Sequence, residues 1–140
     1  MTDREEFQER LKQAAAKAKL FKHPEIEEKP FVIKPWGIEL IVAREYTDEY
    51  PITFKRMFIN KGECLSLQIH KEKSENMIVV KGMGKFTIED KVFEVKPGDE
   101  MVVLREERHR IEAITNMEVW EMSIGFDDDI VRLEDKYARK

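Results

Sequence analysis

The chain has 140 residues, 41% of them hydrophobic, which predicts one globular domain with its own core. Charged residues make up 39% and the formal net charge is -4, with no basic stripe interleaved with aromatics, which argues against a nucleic-acid groove. No apolar run approaches the roughly 20 residues of a membrane span, and the start resembles neither a signal nor a transit peptide. A single cysteine excludes an internal disulfide framework. We therefore expect a soluble, cytoplasmic protein without nucleic-acid or membrane partners.

The first part of the chain predicts a helix and a connector. Residues 3–21 place apolar side chains such as Phe7 and Leu11 on one helical face, and the Thr2–Glu5 segment resembles a capping box. Residues 22–30 contain two prolines and many charges, which is typical of a connector.

From residue 31 onward the hydrophobic period becomes that of strands. Short strands separated by Gly and Pro turn signals are typical of an all-β sandwich or barrel. The predicted strands are 38–43, 53–60, 64–70, 75–81, 84–89, 92–95, 100–104, 109–114 and 118–124. An Asp cluster at the start of 127–137 predicts a short helical tail. We divide the chain into helix and linker, 1–30, and barrel with tail, 31–140.

A group of metal-ligating side chains falls on these strands. Gln68 and His70 share one face of the strand 64–70, and Glu75 is expected opposite His70 across a polar hairpin loop. His109 opens a later strand, and closing the barrel would bring its imidazole to the other three. Taken alone, each of these residues would indicate only part of a polar patch on a strand. Two imidazoles, a carboxylate and an amide oxygen together suit Zn²⁺, Mn²⁺, Fe²⁺ or Co²⁺.

The spacing of this group resembles the first motif of the cupin superfamily, with matching positions at Gly62, Gln68, His70, Glu75 and Gly82. Gly98, followed ten residues later by Arg108-His109, resembles the second motif. The resemblance implies a single double-stranded β-helix, or jelly-roll, barrel.

A closer resemblance is to the C-terminal cupin domain of type II phosphomannose isomerases. The string LSLQIH at 65–70 is similar to the metal-binding string of phosphomannose isomerases, Pro35-Trp36-Gly37 to the opening motif of that domain, and Asp128–Arg139 to its C-terminal signature. The resemblance implies that the ligands Gln, His, Glu and His of these enzymes correspond to Gln68, His70, Glu75 and His109. The expected cofactor is a divalent metal, Zn²⁺ first, with Mn, Co, Fe or Ni as alternatives.

The same resemblance implies a proton transfer between C1 and C2 that interconverts mannose 6-phosphate and fructose 6-phosphate through an enediol. The candidate bases are Glu121, which can reach a metal-bound substrate if its strand face is interior, and Glu72, which also fits a solvated hairpin charge. Arg132, Arg139 and Lys55 are candidates for contacts to the sugar phosphate.

Departures from the family keep two alternatives open. The family's His-rich stretch with an Arg is Lys71-Glu72-Lys73 here, and its His-Trp pair is Asn76-Met77. One alternative is a non-catalytic sugar-binding or regulatory cupin. The other is an Fe(II) dioxygenase, since two His and one carboxylate hold Fe²⁺ in such enzymes. The nucleotidyltransferase domain of bifunctional members does not occur in this sequence, so guanylyl transfer is not expected.

An apolar row, Leu65, Leu67 and Ile69, faces away from the metal side of its strand. Soluble monomers rarely expose such a row. We therefore predict a homodimer, with the N-terminal helix contributing to the contact or to the barrel wall.

Overall fold

The computed structural model describes residues 2–17 and 31–139, which contain one helix, α1 (Asp3–Lys17), and eleven strands. The strands are β1 (Phe31–Lys34), β2 (Gly37–Tyr46), β3 (Pro51–Ile59), β4 (Leu67–Ile69), β5 (Ser74–Lys81), β6 (Gly84–Ile88), β7 (Lys91–Val95), β8 (Glu100–Val103), β9 (His109–Ala113), β10 (Met117–Ile124) and β11 (Val131–Glu134). They form two antiparallel sheets, one with six strands in the order β1-β2-β3-β10-β5-β8 and one with five in the order β11-β4-β9-β6-β7.

The all-β prediction is therefore confirmed as two antiparallel sheets, while closure of these sheets into a barrel stays a prediction. All nine predicted strands occur, with their ends shifted by up to three residues. Strands β1 and β11 were not predicted.

The predicted helical tail at 127–137 is wrong. Part of this segment forms β11, which pairs antiparallel with β4 so that Val131 opposes Ile69. Asp129 does not cap a helix of its own segment. Its carboxylate instead accepts hydrogen bonds from the backbone N–H groups of Lys71, Glu72 and Lys73. An aspartate beside unpaired N–H groups stabilises them in the same way whether they belong to a helix or to a loop.

The N-terminal helix is confirmed over Asp3–Lys17, and residues 18–30, with the rest of the predicted helix and the linker, lie outside the described residues. Its capping box is formed reciprocally: Thr2 N–H donates to Glu5 Oε2 at 2.8 Å, and Glu5 N–H donates to Thr2 Oγ1 at 3.2 Å. Phe7 packs against Leu40 and Phe58 on the six-stranded sheet. None of the helical structure in residues 2–17 and 31–139 is long and apolar enough to cross a membrane.

The predicted apolar row is only partly exposed. Leu67 and Ile69 are half-buried, and Leu65 packs against the core cluster. The apolar contact of α1 described above lies on the other sheet, so this contact does not cover the row. The homodimer stays a prediction.

The main core contains buried side chains from both sheets. Its members are Trp36, Met57, Ile59, Met77, Val79, Phe86, Val95, Met101, Val103, Ile111, Ala113, Met117 and Val119. Because alternate residues of a strand point to one face, this cluster identifies the inward side of each strand.

Candidate functional site

The inward rows of three neighbouring strands change from apolar to polar along the strand. On β3 the row passes from Met57 to Lys55, and on β10 from Val119 to Glu121. The row of β5 ends in Glu75. The register aligns these changes, since Glu121 pairs with Lys55 of β3, and the next inward residue of β10 pairs with Glu75. One end of the protein interior is therefore polar, and this end is the candidate site.

Two histidines and one glutamate meet at this polar end. The Nε2 atom of His70 lies 2.5 Å, and that of His109 3.2 Å, from Glu75 Oε1. Their ligand atoms all lie within 4.8 Å of one another, and all three residues are buried. Two imidazole nitrogens and a carboxylate oxygen at this spacing form a donor set that could hold a divalent metal ion.

The strands bring these residues together in an unexpected way. Residues 71–73 do not close a hairpin: β4 belongs to the five-stranded sheet and β5 to the six-stranded sheet. Glu75 therefore approaches His70 from the facing sheet, and the predicted cross-strand pairing of these two residues is wrong. His109 is instead the direct cross-strand partner of Gln68.

Gln68 is the fourth predicted ligand, and it lies beside the cluster. Its Oε1 accepts a hydrogen bond from the Ser66 hydroxyl at 2.7 Å, while its Nε2 lies 3.4 Å from His109 Nε2. A 180° rotation of the amide group would turn its oxygen toward the cluster. The Ser66 hydroxyl would then accept a hydrogen bond from the amide, since a hydroxyl both donates and accepts.

Backbone carbonyls hold both imidazoles by the nitrogen opposite the cluster. His70 Nδ1 lies 2.6 Å from the carbonyl oxygen of Asp129, and His109 Nδ1 lies 2.9 Å from that of Glu107. A carbonyl oxygen only accepts, so each Nδ1 carries a hydrogen, while each Nε2 faces the cluster. This arrangement is typical of metal-ligating histidines.

Two buried carboxyl groups at the site have opposite pKa shifts. Burial raises the pKa of Glu75, but hydrogen bonds from His109 and His70, together with the Lys73 charge, outweigh it and hold the pKa well below its ordinary value. Burial, followed by the negative charge of Glu75, raises the pKa of Glu121 well above its ordinary value. The site therefore pairs an ionised carboxylate with a carboxyl that retains its proton more readily.

A cavity of ≈ 230 Å³ opens beside the cluster, and five cationic side chains and four carboxylates are among the groups that line it. Lys55 is almost fully buried there, with its Nζ 2.9 Å from Asp127 Oδ1 and 3.5 Å from Glu39 Oε2. Burial alone would lower the pKa of Lys55, but Glu39, Glu121 and Asp127 raise it above its ordinary value. Lys55 is therefore charged, and its charge is compensated.

The other predicted residues divide between the cavity and the surface. Glu121, Arg132 and Arg139 line the cavity. Glu72 is exposed and accepts a hydrogen bond from the Tyr50 hydroxyl at 3.1 Å, as expected of a solvated charge, although its loop joins two sheets and is not a hairpin.

Lys73 was missed as a site residue. It is buried, lines the cavity, and places its Nζ 3.9 Å from Glu121 Oε1 and 3.8 Å from Asp127 Oδ1. A usable signal was present in the sequence. Lys73 lies two residues before Glu75, and in an extended chain this spacing places both side chains on one face.

The two facing antiparallel sheets and the His–Glu–His cluster define a cupin. The chain belongs to the family described as Mannose-6-phosphate isomerase C-terminal, whose family model matches residues 22–135.

Its relatives include longer proteins. The alginate biosynthesis protein AlgA of Pseudomonas syringae pv. tomato is 31% identical over 113 residues, which cover 77% of this chain and 23% of that protein. Mannose-1-phosphate guanylyltransferase ManC of Salmonella typhimurium is 32% identical over 114 residues, which cover 77% of this chain and 23% of that protein. The chain thus spans less than a quarter of the length of these relatives. The capsular polysaccharide assembling protein CapF of Staphylococcus aureus is similar in fold, with a TM-score of 0.61 at 14% identity over 93% of this chain and 47% of that one.

Proposed function

We propose that this chain is a metal-dependent sugar-phosphate isomerase that interconverts mannose 6-phosphate and fructose 6-phosphate. One observation carries the proposal: a single cavity is lined by His70 and Glu75 of the cluster, by the buried carboxyl of Glu121 and by more cations than carboxylates. This charge balance favours an anionic ligand over a neutral sugar. Membership of the mannose-6-phosphate isomerase family supports the choice of substrate.

The metal ligands in this proposal are His70, Glu75, His109 and, after rotation of its amide, Gln68. Zn²⁺ is the first ion to test, followed by Mn²⁺, Co²⁺, Fe²⁺ and Ni²⁺. A bound ion of this kind polarises the carbonyl and hydroxyl oxygens of a substrate. With only one carboxylate among its four ligands, the site leaves net positive charge to act on the substrate.

Glu121 is the proposed base that moves the proton between C1 and C2. Its Oε1 is buried and has no hydrogen-bond partner among the described residues. The carboxyl lines the same cavity as His70 and Glu75 of the cluster, so a substrate beside these two residues lies within its reach. The raised pKa of Glu121 brings this carboxyl closer to the range in which one group can both accept and return a proton.

The phosphate is assigned to Arg132 of the C-terminal segment, which lines the cavity, because a guanidinium group binds phosphate oxygens in a bidentate manner. Arg139 also lines the cavity, but its Nε and Nη2 already donate to the Asp135 carboxylate. Lys55 is already paired with Asp127 and Glu39. Its proposed role is therefore to balance the negative charge of Glu121, and not to contact the phosphate directly.

The test is turnover of mannose 6-phosphate to fructose 6-phosphate by chelated protein to which a single metal is returned. Turnover should require metal and be lost in His70→Ala, while His23→Ala, a histidine variant outside the described residues, should retain it. No turnover with any of the five metals, in protein that binds metal at this site, would refute the isomerase. Binding of the sugar phosphate without turnover would then identify a sugar-binding cupin.

The cluster also favours a second candidate function. His70, Glu75 and His109 form a two-His, one-carboxylate set of the kind that holds Fe²⁺ in oxygenases. Oxygen uptake by Fe²⁺-loaded protein, lost in His70→Ala and retained in His23→Ala, would support the dioxygenase. Its absence in protein with isomerase activity would exclude this alternative.

A further inference from the structure

Asp129 links the metal cluster to the loop that follows it. Its carboxylate accepts hydrogen bonds from three consecutive backbone N–H groups, at 3.0 Å from Lys71, 2.8 Å from Glu72 and 2.9 Å from Lys73. Its carbonyl oxygen is the acceptor 2.6 Å from His70 Nδ1. One residue, 59 positions from His70 in sequence, therefore contacts every residue from the histidine to the end of the loop.

These contacts fix the orientation of the His70 ring and the backbone conformation of the loop 71–73. The hydrogen bond to the Asp129 carbonyl orients the His70 ring so that Nε2 faces Glu75. The three bonds to the carboxylate fix the backbone of the loop, and this loop carries the chain from the sheet of His70 to the sheet of Glu75. The distance between the two ligands therefore depends on the loop that Asp129 holds.

Gly125 gives a second, independent indication that this contact is close. The glycine is buried with φ +135°, and a Cβ at this position would lie 2.7 Å from Lys73 Cβ and 2.8 Å from Lys73 Cα. Atoms at these distances overlap, so any side chain here would push the segment 125–130 away from the loop. Glycine also tolerates this backbone conformation better than other residues.

We propose that Asp129 is a positioning residue for the metal site, which holds His70 and the loop 71–73 in ligating geometry, and that Gly125 permits the close approach this requires. The inference rests on the metal ligands of the proposed function and not on the isomerase reaction. Partners that orient a ligating histidine in this way typically contribute 10- to 100-fold to metal affinity or activity.

The experiment compares Asp129→Asn with Asp128→Asn, a neighbouring variant with the same change of charge. Zn²⁺ and Co²⁺ affinities are measured by calorimetry on metal-free protein, together with the visible spectrum of bound Co²⁺ and the Tm of the metal-free form. Asp129→Asn keeps the carbonyl that orients His70 but replaces one carboxylate oxygen that accepts loop hydrogen bonds with an amide donor. It should therefore bind both ions roughly 10- to 100-fold more weakly and alter the Co²⁺ spectrum, while Asp128→Asn should match the wild type in both. A merely structural role would lower the metal-free Tm and leave the affinity of the folded protein unchanged.

Three results would overturn the inference. They are an affinity of Asp129→Asn within a factor of two of the wild type, an equal loss in Asp128→Asn, and an unchanged Co²⁺ spectrum. If Asp129→Asn does not fold without metal, the same criteria apply to Gly125→Ala, which removes no acceptor. Wild-type protein that binds neither ion would refute the metal site as well. Normal metal binding without turnover would refute only the isomerase.

Discussion

Metal should raise the thermal stability of this protein by an amount that can be calculated. An ion that binds only the folded state at 100 times its Kd stabilises it by about 2.7 kcal/mol. Unfolding entropy is about 2.1 cal/mol/K per residue, so for 140 residues we expect a Tm increase of about 9 °C. His109→Ala removes a proposed ligand whose Nε2 lies 3.2 Å from Glu75 Oε1. If this loss costs about 100-fold in affinity, the same metal concentration gives only about 0.4 kcal/mol, or about 1 °C.

The assay is thermal unfolding followed by circular dichroism, on chelated protein with and without added Zn²⁺. The chain has three histidines, and His23→Ala is the matched control because the cluster among the described residues contains the other two. This control should keep the full increase in Tm. An increase of about 9 °C in His109→Ala, or its loss in His23→Ala, would show that the stabilising ion binds elsewhere and would refute the assignment.

Three further predictions concern the cavity and the C-terminal tail. Glu121→Gln should lower turnover of mannose 6-phosphate by about 10²- to 10⁴-fold, because a general base contributes about that much to the rate. The Zn²⁺ affinity should not change. An unchanged kcat would exclude Glu121 as the base. Arg132→Ala should raise the KM for mannose 6-phosphate by about 10- to 100-fold with little change in kcat, as expected for loss of a hydrogen bond between charged groups. A change confined to kcat would contradict the phosphate contact. Hydrogen bonds from Arg139 lower the pKa of Asp135 from 3.8 to about 2. Its contribution to stability is thus present above pH 3.8 and lost as the pH falls through 2, so denaturant unfolding of Asp135→Asn should show a deficit of about 1–2 kcal/mol at pH 7 that shrinks to a few tenths of a kcal/mol at about pH 2.

The sequence predicted the members of the cluster but not how the chain brings them together. Alternation along β4 places Gln68 and His70 on one side, and the structure agrees. A short polar loop before Glu75 is equally compatible with a hairpin and with a crossing between sheets. The crossing is held by Asp129, which is 56 to 58 residues from the loop it contacts, and local sequence carries no signal for a contact at that distance.

The tail shows how one local signal can obscure another. Val131 and Leu133 alternate with Arg132 and Glu134, which is a strand pattern, while the preceding aspartates are typical of a helix cap. The aspartate signal was correct in its chemistry, because Asp129 does accept backbone N–H hydrogen bonds. These N–H groups belong to a distant loop, and only the tertiary structure identifies them.

The buried charges at the polar end are better explained by function than by stability. On β3 and β10 the same inward rows hold Met57 and Val119 at one end, and Lys55 and Glu121 at the other. Burying ionisable groups costs free energy, and well-packed apolar residues in their place are often neutral or stabilising by 1–4 kcal/mol. The raised pKa of Glu121 means that its surroundings disfavour the charged form, so the metal-free Glu121→Gln variant, which carries no charge there, should have a Tm at least as high as the wild type, although it loses turnover. A Tm lower by several degrees would mean that Glu121 is retained for the stability of the core, and the case for its catalytic role would then rest on kinetics alone.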